Sequence, residues 1–84
     1  MNDITMYSTE TCPYCQRADQ LLAAKGISIR KIRVDLSEQA FSEMQSKTGM
    51  RSVPQIFIGQ RHIGGYSDLA ALEQSGQLDG LLHA

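Results

Sequence analysis

Apolar positions recur with two different periods along this chain, and the changes of period mark its elements. The short run Ile4-Thr5-Met6-Tyr7 predicts a first strand. Ala18, Leu21 and Leu22 then fall at helical spacing. They predict a helix from Pro13 to Lys25, with proline tolerated in the first turn and Gly26 as the stop. Ile27 to Val34 is β-rich and reads as a buried strand, although its apolar parity shifts between Ile29 and Ile32. Ser37 is placed to cap a second helix that presents Ala40, Phe41 and Met44 on one face, runs to Thr48 and ends at Gly49.

The second half changes rhythm. Gln55-Ile56-Phe57-Ile58 and Arg61-His62-Ile63-Gly64 are two short strands separated by Gly59-Gln60, the pattern of a tight hairpin with glycine first. A third helix opens at Tyr66 or Ser67, carries Leu69 and Leu72, and is ended by Gly76. Leu78, Leu81 and Leu82 suit a short final helix packed back on the sheet. The order is β-α-β-α-β-β-α plus that short helix. Strands joined through a helix are expected to be parallel with a right-handed crossover, and hairpin strands antiparallel. The fold class is α/β, a mixed four-stranded sheet with helices on both faces.

Composition narrows the function more than the fold. Eighty-four residues form one domain, 1–84, able to bury a modest core. A net charge of −1 gives no footing for nucleic acid or an anionic membrane as main partner. The N-terminus shows no basic segment leading into an apolar one, and no apolar run approaches ~18 residues. A soluble, cytoplasmic, monomeric protein is expected.

The chemistry lies in Cys12-Pro13-Tyr14-Cys15, which holds both cysteines of the chain. A disulfide between them closes so small a loop that it constrains the unfolded chain little, so a redox role fits better than a staple. The motif falls where the first strand passes into the first helix. A thiol at such a helix start meets free N–H groups and the positive end of the dipole, which brings its pKa from ~8.5 into the range ~3.5–7.5. Cys12 is the expected nucleophile at the accessible loop end, and Cys15, one turn on, the resolving thiol. Pro13 and Tyr14 stiffen and shield the turn. Two buried, inert cysteines are the plainer alternative, and the strand-to-helix setting disfavours it. Zinc is disfavoured too: His62 is far from the cysteines and His83 a further twenty-one residues on, whereas zinc fingers space their histidines ~3–5 apart. No metal site is expected.

Three motifs in order, Cys12-Pro13-Tyr14-Cys15, Ser52-Val53-Pro54 and Gly64-Gly65 followed by Asp68, resemble those of class I (dithiol) bacterial glutaredoxins. The resemblance covers essentially the whole chain and implies the thioredoxin fold. It also implies a glutathione-dependent oxidoreductase that reduces protein disulfides with both cysteines and glutathione mixed disulfides with Cys12 alone. Glutathione is then co-substrate, no cofactor is permanently bound, and glutathione reductase acts indirectly on the oxidised product. The proline after Val53 is implied to be cis, exposing the Val53 backbone to an extended cysteinyl segment. Tyr14, Ser52, Val53, Pro54 and Gly65 are implied to line the glutathione groove. The resemblance further implies that the N–H groups of Tyr66 and Ser67 hold glutathione's γ-glutamyl carboxylate, with Asp68 near its ammonium. Asp68 serves equally well as an ordinary first-turn acid.

The pattern departs from the family at two positions. A lysine usual three residues before the nucleophile is Thr9, and a basic or amide residue twelve before the valine is Phe41. Arg51 and Lys47 are the candidate substitutes for the carboxylate contact they would make. The departures leave two rivals: a redoxin reduced by thioredoxin reductase, and a dimeric module holding an iron–sulfur cluster with glutathione. Gly64-Gly65 with Asp68 argues against the first, and Pro13, by stiffening the turn, against the second.

Overall fold

The protein's structure is a computed structural model that describes residues 3–83. Its elements run β1 (Ile4–Ser8), α1 (Pro13–Ala24), β2 (Ile29–Arg33), α2 (Glu38–Thr48), β3 (Gln55–Ile58), β4 (Arg61–Gly64), α3 (Tyr66–Gln74) and α4 (Leu78–Leu82). The sheet order is β2-β1-β3-β4, with β1 and β2 parallel and the β1–β3 and β3–β4 pairs antiparallel. This is the expected α/β architecture.

Side-chain alternation on β1 and β3 divides the molecule into two layers. Ile4, Met6, Ile56 and Ile58 face α1, α3 and α4, where they pack with Ala18, Leu22, Leu69, Leu78 and Leu82. Tyr7 faces the other way and joins Val34 and Met44, with Phe41 and Phe57 partly buried around them. Each fully buried leucine or isoleucine contributes about 1.5–3 kcal/mol relative to exposure, so the three-helix layer carries most of the stability. Three helices on one face and one on the other leave part of the second face shallowly covered.

The boundaries follow local chemistry. Ser37 Oγ accepts from the Ala40 N–H at 3.1 Å, and Gly49 closes α2 in the left-handed conformation at φ 70°. Gly59 turns the hairpin with φ 60°. One expectation needs correction: β2 is not a buried strand. Among the described residues it is an edge strand that pairs only with β1 and exposes Arg30 and Lys31, while Ile27 and Val34 beyond its ends are buried. Such charges protect an open edge from pairing with other chains, which explains the broken apolar parity.

A second feature was not readable beforehand. Phe57 pairs with His62 but Ile56 with Gly64, so Ile63 is an extra residue, a β-bulge. The hairpin turn sets His62 opposite Phe57, and the bulge beyond it holds Gly64 opposite Ile56.

Candidate active site

Cys12 is the N-cap of α1, with extended backbone angles of φ −125° and ψ 102°. Its sulfur takes the place of the usual capping oxygen and accepts the Cys15 N–H at 3.2 Å. Pro13 at the first helical position lacks an N–H and leaves that place free for the sulfur. The Cys12 S–H points at the Val53 carbonyl oxygen, 3.9 Å away. Both cysteines are free thiols. Cys12 was expected to be reached readily by solvent, but it is only 7% exposed, little more than Cys15 at 4%. The neighbouring Tyr14 side chain, exposed and tilted 6.2 Å from the Tyr66 ring, stands over the approach.

Burial, and after it the hydrogen bond to Cys12, push the Cys15 thiol up to about 12. In the reduced protein Cys15 is therefore a neutral S–H. The loop ahead of Cys12 is fastened to the end of β2. Arg33 grips Asp35 in a fork, Nε to Oδ1 at 2.7 Å and Nη2 to Oδ2 at 2.6 Å, while Asp35 Oδ2 accepts the Glu10 N–H at 3.3 Å. The guanidinium holds the Asp35 carboxyl down at about 2.

Beside Cys12 lies a groove of about 340 Å³ lined by Tyr14, Ser52, Val53, Pro54, Gly65, Tyr66, Ser67 and Asp68, together with Met50 and Gln55. The Val53–Pro54 peptide is cis. Across the groove, α3 begins at Tyr66 with Gly65 as N-cap, and the Gly65 N–H donates to Asp68 Oδ2 at 3.0 Å. The first N–H groups of a helix have no intrahelical partner, so this wall offers anion-binding donors. Gly64 has φ 116°, and a Cβ there would run into the Asp68 carboxylate. Glycine is required at that position by backbone and space together.

The structure thus brings eight sequence-predicted residues to one groove. Lys47 is a correction: it lies against the other layer, paired with Glu43 at 3.3 Å in a separate hollow lined also by Tyr7 and Phe57. The helix that carries it packs on the opposite face of the sheet from α3. Arg51 stands next to the groove's Ser52, with its guanidinium 5.7 Å from the centre of the Phe41 ring. Phe41 is itself one of the two positions where the basic residue is missing.

Two groove residues, Met50 and Gln55, escaped sequence reasoning. Gln55 carried a signal, a polar side chain opening an otherwise apolar strand, and it is 97% buried. Among the described residues no cluster of three or more His, Cys, Asp or Glu is placed to hold a metal ion. No helix there is long and apolar enough to cross a membrane.

A free thiol capping a helix, a second thiol one turn on and a cis-proline wall define a thiol–disulfide oxidoreductase of the thioredoxin fold. Comparison with known proteins narrows the class. The glutaredoxin family model matches residues 4–63, and the chain belongs to the glutaredoxin family. It is 56% identical over 84 residues to a glutaredoxin of Neisseria meningitidis serogroup A, covering 99% of each chain. With glutaredoxin 3 of Escherichia coli K12 it shares 46% identity over 82 residues, 98% of this chain and 99% of the other. A buckwheat glutaredoxin–glutathione complex is similar with a TM-score of 0.89 at 29% identity, over 98% of this chain and 77% of that one.

Proposed function

We propose that this chain, acting as one domain and as a monomer in the cytoplasm, reduces protein disulfides and protein–glutathione mixed disulfides with glutathione as electron donor. The observation that carries this reading is the Cys12 sulfur as helix cap beside a groove whose far wall is the open start of α3. The Cys12 thiolate attacks the glutathionyl sulfur of a mixed disulfide. The protein thiol leaves and takes a proton, and Cys12 carries the glutathionyl group. A second glutathione thiolate attacks that same glutathionyl sulfur, releasing oxidised glutathione and the Cys12 thiolate. Glutathione reductase then acts only on the released product.

With a protein disulfide, the mixed disulfide on Cys12 is resolved from within. Cys15 loses its proton and attacks the Cys12 sulfur, the substrate's second thiol leaves, and two glutathiones later reduce the Cys12–Cys15 bond. Part of what holds the Cys15 proton is the hydrogen bond and charge of Cys12. Bonding Cys12 to the substrate removes that part, so Cys15 becomes easier to ionise at the step that needs it.

In the groove, the Tyr66 and Ser67 N–H groups take the γ-glutamyl carboxylate and Asp68 faces the ammonium. Tyr14, Ser52, Pro54 and Gly65 shape the walls, and the Val53 backbone pairs with the cysteinyl unit. Arg51 takes the glycyl carboxylate; its stacking on Phe41 supports this by holding a cation where the family's basic residue is missing.

The test is turnover of a glutathionylated peptide coupled to glutathione reductase, with a thioredoxin reductase couple alongside. Activity with glutathione that survives Cys15→Ser and disappears in Cys12→Ser is the expected result. Turnover with thioredoxin reductase alone would overturn the choice of donor.

A further inference from the structure

Gln55 has a buried side chain with a polar atom at each end, and its partners lead from the groove to the far edge of the sheet. Its Nε2 lies 3.0 Å from the Ser52 carbonyl oxygen and 3.4 Å from Ser52 Oγ. A carbonyl only accepts, so this end of the amide is the NH₂ and the other end is the oxygen. That oxygen lies 2.7 Å from His62 Nε2. An amide oxygen only accepts as well, so His62 carries its proton on Nε2. The direction of every bond in the chain His62–Gln55–Ser52 is therefore determined by the one carbonyl at its end.

His62 is on β4, an edge strand, and is exposed, yet its ring is not loose. It packs on Phe57 with ring centres 5.0 Å apart and planes tilted by 34°, and Phe57 meets the buried Tyr7 edge-on at 6.0 Å. The two-residue turn at Gly59-Gln60 places His62 opposite Phe57, one pair beyond Ile58 and Arg61. On the groove side, Ser52 is part of the irregular stretch between α2 and β3. That stretch is tied at its α2 end by the Met50 N–H donating to Thr48 Oγ1 at 2.9 Å. At the β3 end the side-chain tie is Gln55 on Ser52, adjoining the Val53 carbonyl that receives the Cys12 thiol.

We propose that His62 is a positioning residue for this groove: by holding the Gln55 amide in one orientation, it sets Ser52 and Val53 against Cys12. Without the His62 donor the buried amide oxygen loses its partner, and the amide is free to rotate away from Ser52. The groove wall then samples positions that do not fit an extended cysteinyl segment. The effect falls on the capture of substrate, because His62 touches neither sulfur. It rests on the reading of the groove as the site for a glutathionyl or cysteinyl group.

The experiment compares His62→Phe, which keeps a ring on Phe57 and loses the donor, with His62→Gln, whose amide N–H can replace Nε2–H. KM and kcat are measured separately for a glutathionylated peptide, and the Ser52 and Val53 amide resonances are followed by NMR. In His62→Phe, KM is expected to rise about threefold to tenfold with kcat within about twofold, the size of one lost hydrogen bond. Both amide resonances shift, and His62→Gln restores them and KM. An unchanged KM with unmoved Ser52 and Val53 amides in His62→Phe overturns the proposal. So does a fall in kcat that tracks lost thermal stability and is not rescued by glutamine. Failure of the wild-type protein to turn over the peptide would refute the glutathione reading instead, and the amide shifts would still decide the positioning role.

Discussion

Replacing Gly64 by alanine tests the groove's far wall most directly, because two separate costs meet at one methyl group. The backbone there has φ 116°, which L side chains rarely adopt, and the new Cβ runs into the Asp68 carboxylate. The strained backbone costs about 1–3 kcal/mol. Displacing Asp68 breaks its bond from the Gly65 N–H, a helix-capping contact worth about 0.5–2 kcal/mol. The sum is about 1.5–5 kcal/mol, and at ~4–8 °C per kcal/mol for a domain of this size Tm falls by at least ~6 °C. Thermal unfolding of four proteins separates the terms: wild type, Gly64→Ala, Asp68→Ala and the double variant. In Gly64→Ala the cap is already broken, so adding Asp68→Ala should cost nothing further. The double variant is then more stable than the sum of the singles predicts by the capping contact, about 0.5–2 kcal/mol. Gly80→Ala, with nothing within 4 Å of its added Cβ and no positive φ, should not destabilise and serves as control. Additive costs, or a Tm loss below ~3 °C for Gly64→Ala, would refute the steric account of this wall.

Three further outcomes are expected. The Asp35 carboxyl, held at about 2 by Arg33, lies below its ordinary 3.8. Its contribution to stability is therefore present above pH ~4 and lost as pH falls towards ~2, and carboxyl NMR of Arg33→Ala should show it titrating nearer 3.8. In Cys12→Ala, thiolate absorbance should show Cys15 titrating below about 12 but still above 9.0, since burial is the larger cause and remains; a value of 9.0 or less would show that Cys12 was the main cause. Arg51→Ala should raise KM for a glutathionylated peptide about twofold to thirtyfold, the ~0.5–2 kcal/mol of one solvent-exposed charged contact, whereas Lys47→Ala in its separate hollow leaves it unchanged. Equal effects of the two would contradict the assignment.

Local physics made much of this molecule readable in one dimension. Ser37 before an apolar helical stripe, the glycines at 26, 49 and 76, and Gly59-Gln60 between two β-rich runs each bound their elements, because caps and turns depend on a few adjacent residues. Cys12-Pro13-Tyr14-Cys15 declared its chemistry for the same reason: the sulfur, the missing proline N–H and the Cys15 N–H all lie within one helical turn. What only the tertiary structure decided depends on pairing between distant segments. The shift of β2 to an edge, the bulge at Ile63, the removal of Lys47 to the other layer and the bracing of Ser52 by Gln55 all follow from sheet order and register. Sheet register is set by contacts across many residues of intervening chain, and a shift of a single residue turns a side chain to the opposite face. The sequence by itself therefore determined the reacting atoms and the elements that carry them, and the packing of those elements decided which side chains surround them.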